Sequence, residues 1–289
     1  MNSNYLSYST RAVFFLALPL VGACSWAGQI AKDSVDGATS YYGGEHFTLV
    51  AKIPSNFGFT SKAQYSPKTG ESCQVYSPGL GGSVTRQQQK SNTTEAKGVE
   101  QTVSTDIPLE FHIADCSMEL SRVVYEVSST YGSDAWDHGL DMAGGLSVRP
   151  STTAAESKKV PDIIEQKGLC SWLFQISKAK AKLGEIEKIL SCNATDENWS
   201  APKNKYERRK PGGGIARNLL ANRTVKIEFR LSPEERPAIG DTWQKTPEGW
   251  KPCLGKGPND PYGFCRGDTE NFRKFKMNGR ECTVYPGCN

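Results

Sequence analysis

The sequence predicts a mostly β fold with one main helix, an α+β chain: a β-sandwich, then a helix, a strand and a disulfide-rich C-terminal region. Three observations predict it. Apolar and polar residues alternate through several short segments, each closed by Gly, Pro, Asn or Ser. One later stretch places its apolar residues three and four apart. Four cysteines crowd into 253–288, a segment poor in aliphatic residues.

From His46, Phe47, Leu49 and Ala51 alternate with Thr48, Val50 and Lys52 until Pro54, Asn56 and Gly58 break the pattern. Val75-Tyr76 is a short run after Cys73. Val99–Thr105 reads as a polar strand, and Leu109, Phe111 and Ile113 as a half-buried one. Leu120–Val127 reads as a buried strand. Strands about ten residues apart, with turn residues between, predict an antiparallel β-sandwich over 45–150. Tyr131–Pro150 carries Gly132, Gly139, Gly144 and Gly145 and reads as loop, and Ser151–Lys159 as a polar linker.

The region 160–289 changes character. Trp172, Leu173, Ile176, Ala179, Leu183, Ile186 and Leu190 fall on one helical face with charges opposite, and Gly184 weakens the pattern. A helix from Cys170 to Cys192 would be about 30 Å long, far beyond disulfide reach. If those two cysteines pair, the helix is shorter or the chain turns back. Val225, Ile227, Phe229 and Leu231 then alternate as a strand, and Asp241–Gln244 with Glu248–Lys251 reads as a hairpin with paired tryptophans.

The N-terminal segment holds Arg11, an apolar run Ala12–Val21 and no acid before Cys24, the pattern of a secretory signal too short to span a bilayer. Val21-Gly22-Ala23-Cys24 resembles the lipobox of bacterial lipoproteins, although Leu is commoner in the family where Val21 stands. The resemblance implies a signal peptide over 1–23, acylation of Cys24, and a tether over 24–44. It also implies periplasmic location by a lipid anchor, the outer membrane being indicated because Ser25 rather than Asp follows the cysteine.

Nine cysteines are present; with Cys24 set aside, Cys73, Cys116, Cys170, Cys192, Cys253, Cys265, Cys282 and Cys288 remain. An even count in an exported chain predicts four disulfides, with Cys253–Cys265 and Cys282–Cys288 as the short-loop pairs. With no CxxC and only three histidines, a zinc site is not expected, nor any metal or cofactor. The net charge of +4, with signs mixed along the chain, gives no nucleic-acid signature.

No GxSxG, HExxH, P-loop or EF-hand loop occurs, so no catalytic residue is assigned. The densest polar cluster is Asp134, Asp137, His138 and Asp141 around Trp136. It could hold a cation, do acid–base work, or form a glycine-rich turn whose acids cap their own backbone, and the last is favoured. The basic run Lys203–Lys210, with Arg208 and Arg209, reads as a solvated loop, or as a patch for phosphate headgroups or an acidic partner. Trp136, Trp199, Trp243 and Trp250 lie in or near loops, where aromatics flanked by Gly and charge suit protein interfaces or, equally, cover small disulfide-rich cores.

An exported, β-rich, disulfide-braced lipoprotein with loop aromatics and no catalytic motif resembles, across its whole length, the periplasmic immunity lipoproteins that neutralise type VI secreted phospholipases. That resemblance implies a binding protein that occludes the active site of a secreted effector. Asp134, Trp136, Asp137, His138, Asp141, Arg208 and Arg209 are then the candidate partner-binding residues. The alternatives are a structural or assembly lipoprotein of the envelope, and a hydrolase centred on Asp137 and His138.

Overall fold

The structure is a computed structural model that describes residues 37–151, 161–176, 184–204, 206–256, 260, 263–265 and 271–288. The signal segment, Cys24 and most of the tether lie outside the described residues, as does 177–183, the middle of the expected helix.

The described chain is nearly all β. The first strands are β1 (Tyr41–Tyr42), β2 (His46–Ile53), β3 (Phe57–Pro67), β4 (Gln74–Ser77), β5 (Gly82–Thr85), β6 (Gln88–Thr94) and β7 (Gln101–Pro108). Then come β8 (Glu110–Ile113), β9 (Cys116–Thr130), β10 (His138–Arg149), β11 (Ile163–Ile176), β12 (Ile186–Ala194) and β13 (Gly212–Ala216). The last are β14 (Thr224–Leu231), β15 (Arg236–Pro237), β16 (Trp243–Thr246), β17 (Gly249–Pro252), β18 (Phe275–Met277) and β19 (Arg280–Cys282). Arg217–Leu219 and Gly240–Thr242 are single 3-10 turns.

The α+β expectation is therefore overturned, because the main helix does not form. β11 and β12 are an antiparallel pair, with Cys170 opposite Cys192 and Trp172 opposite Leu190. The misleading signal has a simple origin. Trp172 and Ile176 are four apart, as are Ile186 and Leu190. A spacing of four keeps a side chain on one face of a strand as well as of a helix. Cys170, Trp172, Phe174 and Ile176 are all buried, and this two-residue period decides for the strand. The chain does turn back, and Cys170 and Cys192 are disulfide-bonded with Cα atoms 3.8 Å apart.

Two further expectations change. Tyr131–Pro150 is not all loop, since β10 occupies most of it, with a bulge between Met142 and Gly144. The sandwich is not purely antiparallel: β11 with β14, β14 with β2, and β10 with β13 run parallel.

β9 is the spine of the first sheet, with β3 along one edge and β8 then β10 along the other. The second sheet has the order β12-β11-β14-β2-β7, with β15 beside the end of β11. Their inner faces share one core, in which Phe47, Leu49, Tyr65, Val123, Tyr125, Cys170, Val225, Ile227 and Phe229 are buried. Strands from before residue 150 and after residue 160 thus complete the same two sheets.

A second, smaller core holds Phe174, Ile176, Trp243, Phe275, Cys282, Tyr285 and Cys288. Phe174, near the end of β11, is its base: Tyr285 stacks on it at 3.9 Å and Trp243 meets it edge-on at 4.9 Å. The expected tryptophan hairpin is β16–β17. The eight cysteines form four pairs, Cys73–Cys116, Cys170–Cys192, Cys253–Cys265 and Cys282–Cys288, the last two as the short loops predict.

Burial pushes the phenols of Tyr65, Tyr125 and Tyr285 up, the last also through its hydrogen bond to the Glu235 carboxylate. A group raised in the folded state favours folding below its unfolded value of about 10 and loses that contribution above it. Stability should therefore hold to about pH 9, begin to fall near pH 10, and above that approach a fall of about 1.4 kcal/mol per pH unit for each tyrosine still neutral in the fold. Urea midpoints between pH 7 and 11 measure this, and a midpoint constant to pH 11 would contradict it.

Candidate recognition site

The 131–138 loop leads into β10 and is held by its own backbone. Tyr131 N–H donates to Asp137 O at 2.9 Å, and Asp137 N–H donates to Asp134 O at 2.9 Å. The Asp137 carboxylate accepts from Asp134 N–H at 3.3 Å, and His138 Nδ1 lies 2.9 Å from Ala135 O. Gly132 leaves room for the Asp137 carboxylate, which a Cβ there would displace. The acids cap their own loop, as the turn reading expects. The Asp137 carboxylate and the His138 ring each face their own backbone rather than one another.

This loop forms one wall of a cleft of about 250 Å³. Tyr131, Asp134, Trp136 and Asp137 line that wall, with Trp136 62 % exposed. Glu185, just before β12, and Ile186 and Lys188, at its start, also line the cleft. The β18–β19 hairpin supplies Lys276, Met277, Asn278 and Gly279. Its two-residue turn uses Asn278 (φ 52°) and Gly279 (φ 73°), both left-handed, as a tight hairpin demands. Lys276 N–H donates to Gly184 O at 2.9 Å and so seats the hairpin against β12. Lys188 is fixed from below by Glu235 at 2.8 Å. Three segments distant in sequence thus meet at the cleft, Asp134 and Asp137 from the first, Glu185 and Lys188 from the second and Lys276 from the third, with Trp136 exposed beside them.

No family model matches this chain, and no curated protein and no solved structure matches it either.

The candidate residues separate into groups. Asp134, Trp136 and Asp137 line the cleft, and His138 follows them at the start of β10, exposed. Asp141 does not join them. Its Oδ2 accepts from Cys192 N–H at 2.7 Å and pairs with Lys210 at 2.5 Å, so it covers the edge of β12. Arg208 donates to Pro202 O at 2.9 Å and Lys203 O at 3.2 Å, holding its own loop. Arg209 lines a separate groove with Arg122 and Met142. Leu140 and Met142 project from β10, 60 % and 58 % exposed.

Sequence reasoning missed Lys188 and Lys276. By sequence, Lys188 falls among the charges opposite the apolar stripe of the expected helix. The Asn278-Gly279 pair was a legible hairpin signal, but nothing local tied that hairpin to the 131–138 loop. Among the described residues, Glu71, Cys73 and Cys116 come within metal-ligand reach of one another, and both cysteine sulfurs there are spent on a disulfide.

Proposed function

We propose that the protein is a lipid-anchored binding protein of the periplasm whose Trp136 face docks on a secreted effector protein. The observation that carries this reading is the Trp136 cleft: an exposed tryptophan at the rim of a braced loop, over a pocket of about 250 Å³. A loop fixed before binding loses less entropy on docking. Trp, Met and Arg are the residues protein interfaces enrich, and Trp136, Leu140, Met142, Arg122 and Arg209 occur along this face. Within the reading, the effector is a phospholipase whose active site is occluded, and anchoring is by acylation of Cys24. Four disulfides fit an oxidising compartment.

Expression of the secreted enzyme encoded beside this gene, in the periplasm with and without this protein, is the functional test. Protection of the cells supports the reading. No neighbouring toxin, or no protection, hands the role to the structural lipoprotein. The anchor has its own test. Cys24→Ser should abolish palmitate labelling and release the protein from membranes; labelling that survives the substitution would contradict acylation at that cysteine.

A further inference from the structure

Among the described strands, β4 and β5 pair only with each other. Between Glu71 and Arg86 there is no acidic or basic residue, in a chain of which 23 % is charged. Val75 and Val84 stand opposite one another across this hairpin, half-buried. Tyr76 takes the other face and is exposed. Leu80 N–H donates to Ser77 O at 3.2 Å and Gly81 N–H to Pro78 O at 3.3 Å, which closes the turn. Leu80 is left at the tip, 76 % exposed. A lone two-stranded hairpin is marginal in water, and this one is pinned at its base. Cys73 is bonded to Cys116, Arg86 N–H donates to Cys73 O at 2.8 Å, and Glu71 accepts from Ser117 N–H at 2.6 Å.

The base of the hairpin lies at one end of β9. Cys116 opens that strand, whose 15 residues run about 45 Å to Thr130 and the loop of Trp136. β1 runs antiparallel to β8, with Tyr41 opposite His112 and Tyr42 opposite Phe111. The residues just before Tyr41 therefore come in from the side of the 113–116 turn, which is the hairpin's end and not the loop's. Exposed Tyr41 stacks on His112 there at 4.8 Å. About a dozen residues separate Cys24 from Gly37, and they span about 45 Å at most. That reach is no greater than the length of β9. A lipid on Cys24 thus keeps the hairpin end at the bilayer and the Trp136 loop away from it.

We propose that the β4–β5 hairpin is a membrane arm: Leu80 enters the acyl-chain boundary of the bilayer, and the rings of Tyr76 and Tyr41 lie at headgroup level. The inference rests on the lipid-anchor reading and adds an orientation to it. An uncharged tip passes the headgroups without carrying a charge into hydrocarbon. Lys68 and Arg86 flank the uncharged stretch in sequence, cations of the sign that lipid phosphates attract. One leucine and one tyrosine do not hold a protein on a membrane by themselves. The lipid supplies the attachment, and the arm fixes which way the molecule stands.

Spin labels on the full acylated chain, reconstituted in vesicles of phosphatidylethanolamine and phosphatidylglycerol, test it. One label is placed by Leu80→Cys, and another, on a separate sample, by Ser133→Cys in the exposed 131–138 loop. On vesicles the label at 80 should lose most of its contact with a water-soluble nickel complex and gain contact with oxygen. The label at 133 should stay in water. Adding Tyr76→Asp should return the label at 80 to water. All three side chains are exposed, so the thermal midpoints should hold. Vesicle flotation separates this inference from the anchor. A chain that floats only while Cys24 is intact, with the label at 80 as wet as the label at 133, would overturn the arm and leave the anchor standing. A chain that does not float would overturn both. A label at 80 that is wet on vesicles and shielded only when the neighbouring secreted effector is added would also overturn the proposal, and would assign the arm to that protein.

Discussion

Replacing Gly145 or Gly212 by alanine is expected to destabilise the protein by about 4 kcal/mol, as backbone strain and a backbone clash combine. Both lie where β9, β10, β13 and Pro211 converge. Gly145 has φ 148°, and a Cβ there would overlap the Val123 carbonyl oxygen across the β9–β10 ladder. Gly212 has φ 124°, and its Cβ would overlap the Gly145 carbonyl. Neither obstacle is a side chain that can swing aside. Relief requires moving a strand, and the 145–149 half of β10 is the part that recruits β13 by parallel pairing. Gly44→Ala is the control, because a Cβ there meets nothing within 4 Å. Urea unfolding of the three variants measures the difference. Equal midpoints for Gly145→Ala and Gly44→Ala would contradict the packing described at this junction.

The second large effect is expected at Cys170–Cys192. The bond closes a loop with a sequence separation of 22, and both residues are fully buried. Chain-entropy arguments give about 3 kcal/mol for a loop of that size, and the emptied sulfur volume adds to it. The double substitution Cys170→Ala with Cys192→Ala should therefore lower the unfolding free energy by at least about 3 kcal/mol. Cys282–Cys288 closes a separation of only 6, for which the same arithmetic gives about 2 kcal/mol. Scanning calorimetry ranks the two. Removing the Cys282–Cys288 bond should leave the main transition largely in place, since those cysteines sit in the smaller core. A larger effect at Cys282–Cys288 would mean that the smaller core holds the sandwich rather than the reverse.

The strands legible in the sequence are those with one buried and one wet face. β2 and β14 alternate cleanly because Phe47, Leu49, Val225 and Ile227 face the core while Thr48 and Lys226 do not. The β11–β12 pair misled because apolar spacings of four are shared by both periods. Pairing of Cys170 with Cys192 requires the chain to turn back, because a helix of that span is about 30 Å long. β10 was hidden by its glycines, which signal loop locally. Here Gly139 makes room for Trp172 and Leu190, and Gly145 for a neighbouring strand. That is tertiary information. The Trp136 loop was legible as a self-capped turn, and Trp136, Asp134 and Asp137 do line one cleft. The lysines opposite them come from β12 and the β18–β19 hairpin, brought there by sheet packing that no local pattern encodes.

Recognition is proposed to run through the Trp136 face. Its most direct test is the dissociation constant of the neighbouring secreted effector for the unaltered protein and for Trp136→Ala, with thermal midpoints alongside. Trp136 is mostly exposed in the unbound protein, so its truncation should leave the midpoint within about 1 °C. Binding should weaken about 30-fold or more, the usual consequence of losing about 2 kcal/mol at an interface tryptophan. Unchanged affinity in a stably folded Trp136→Ala protein would contradict the account.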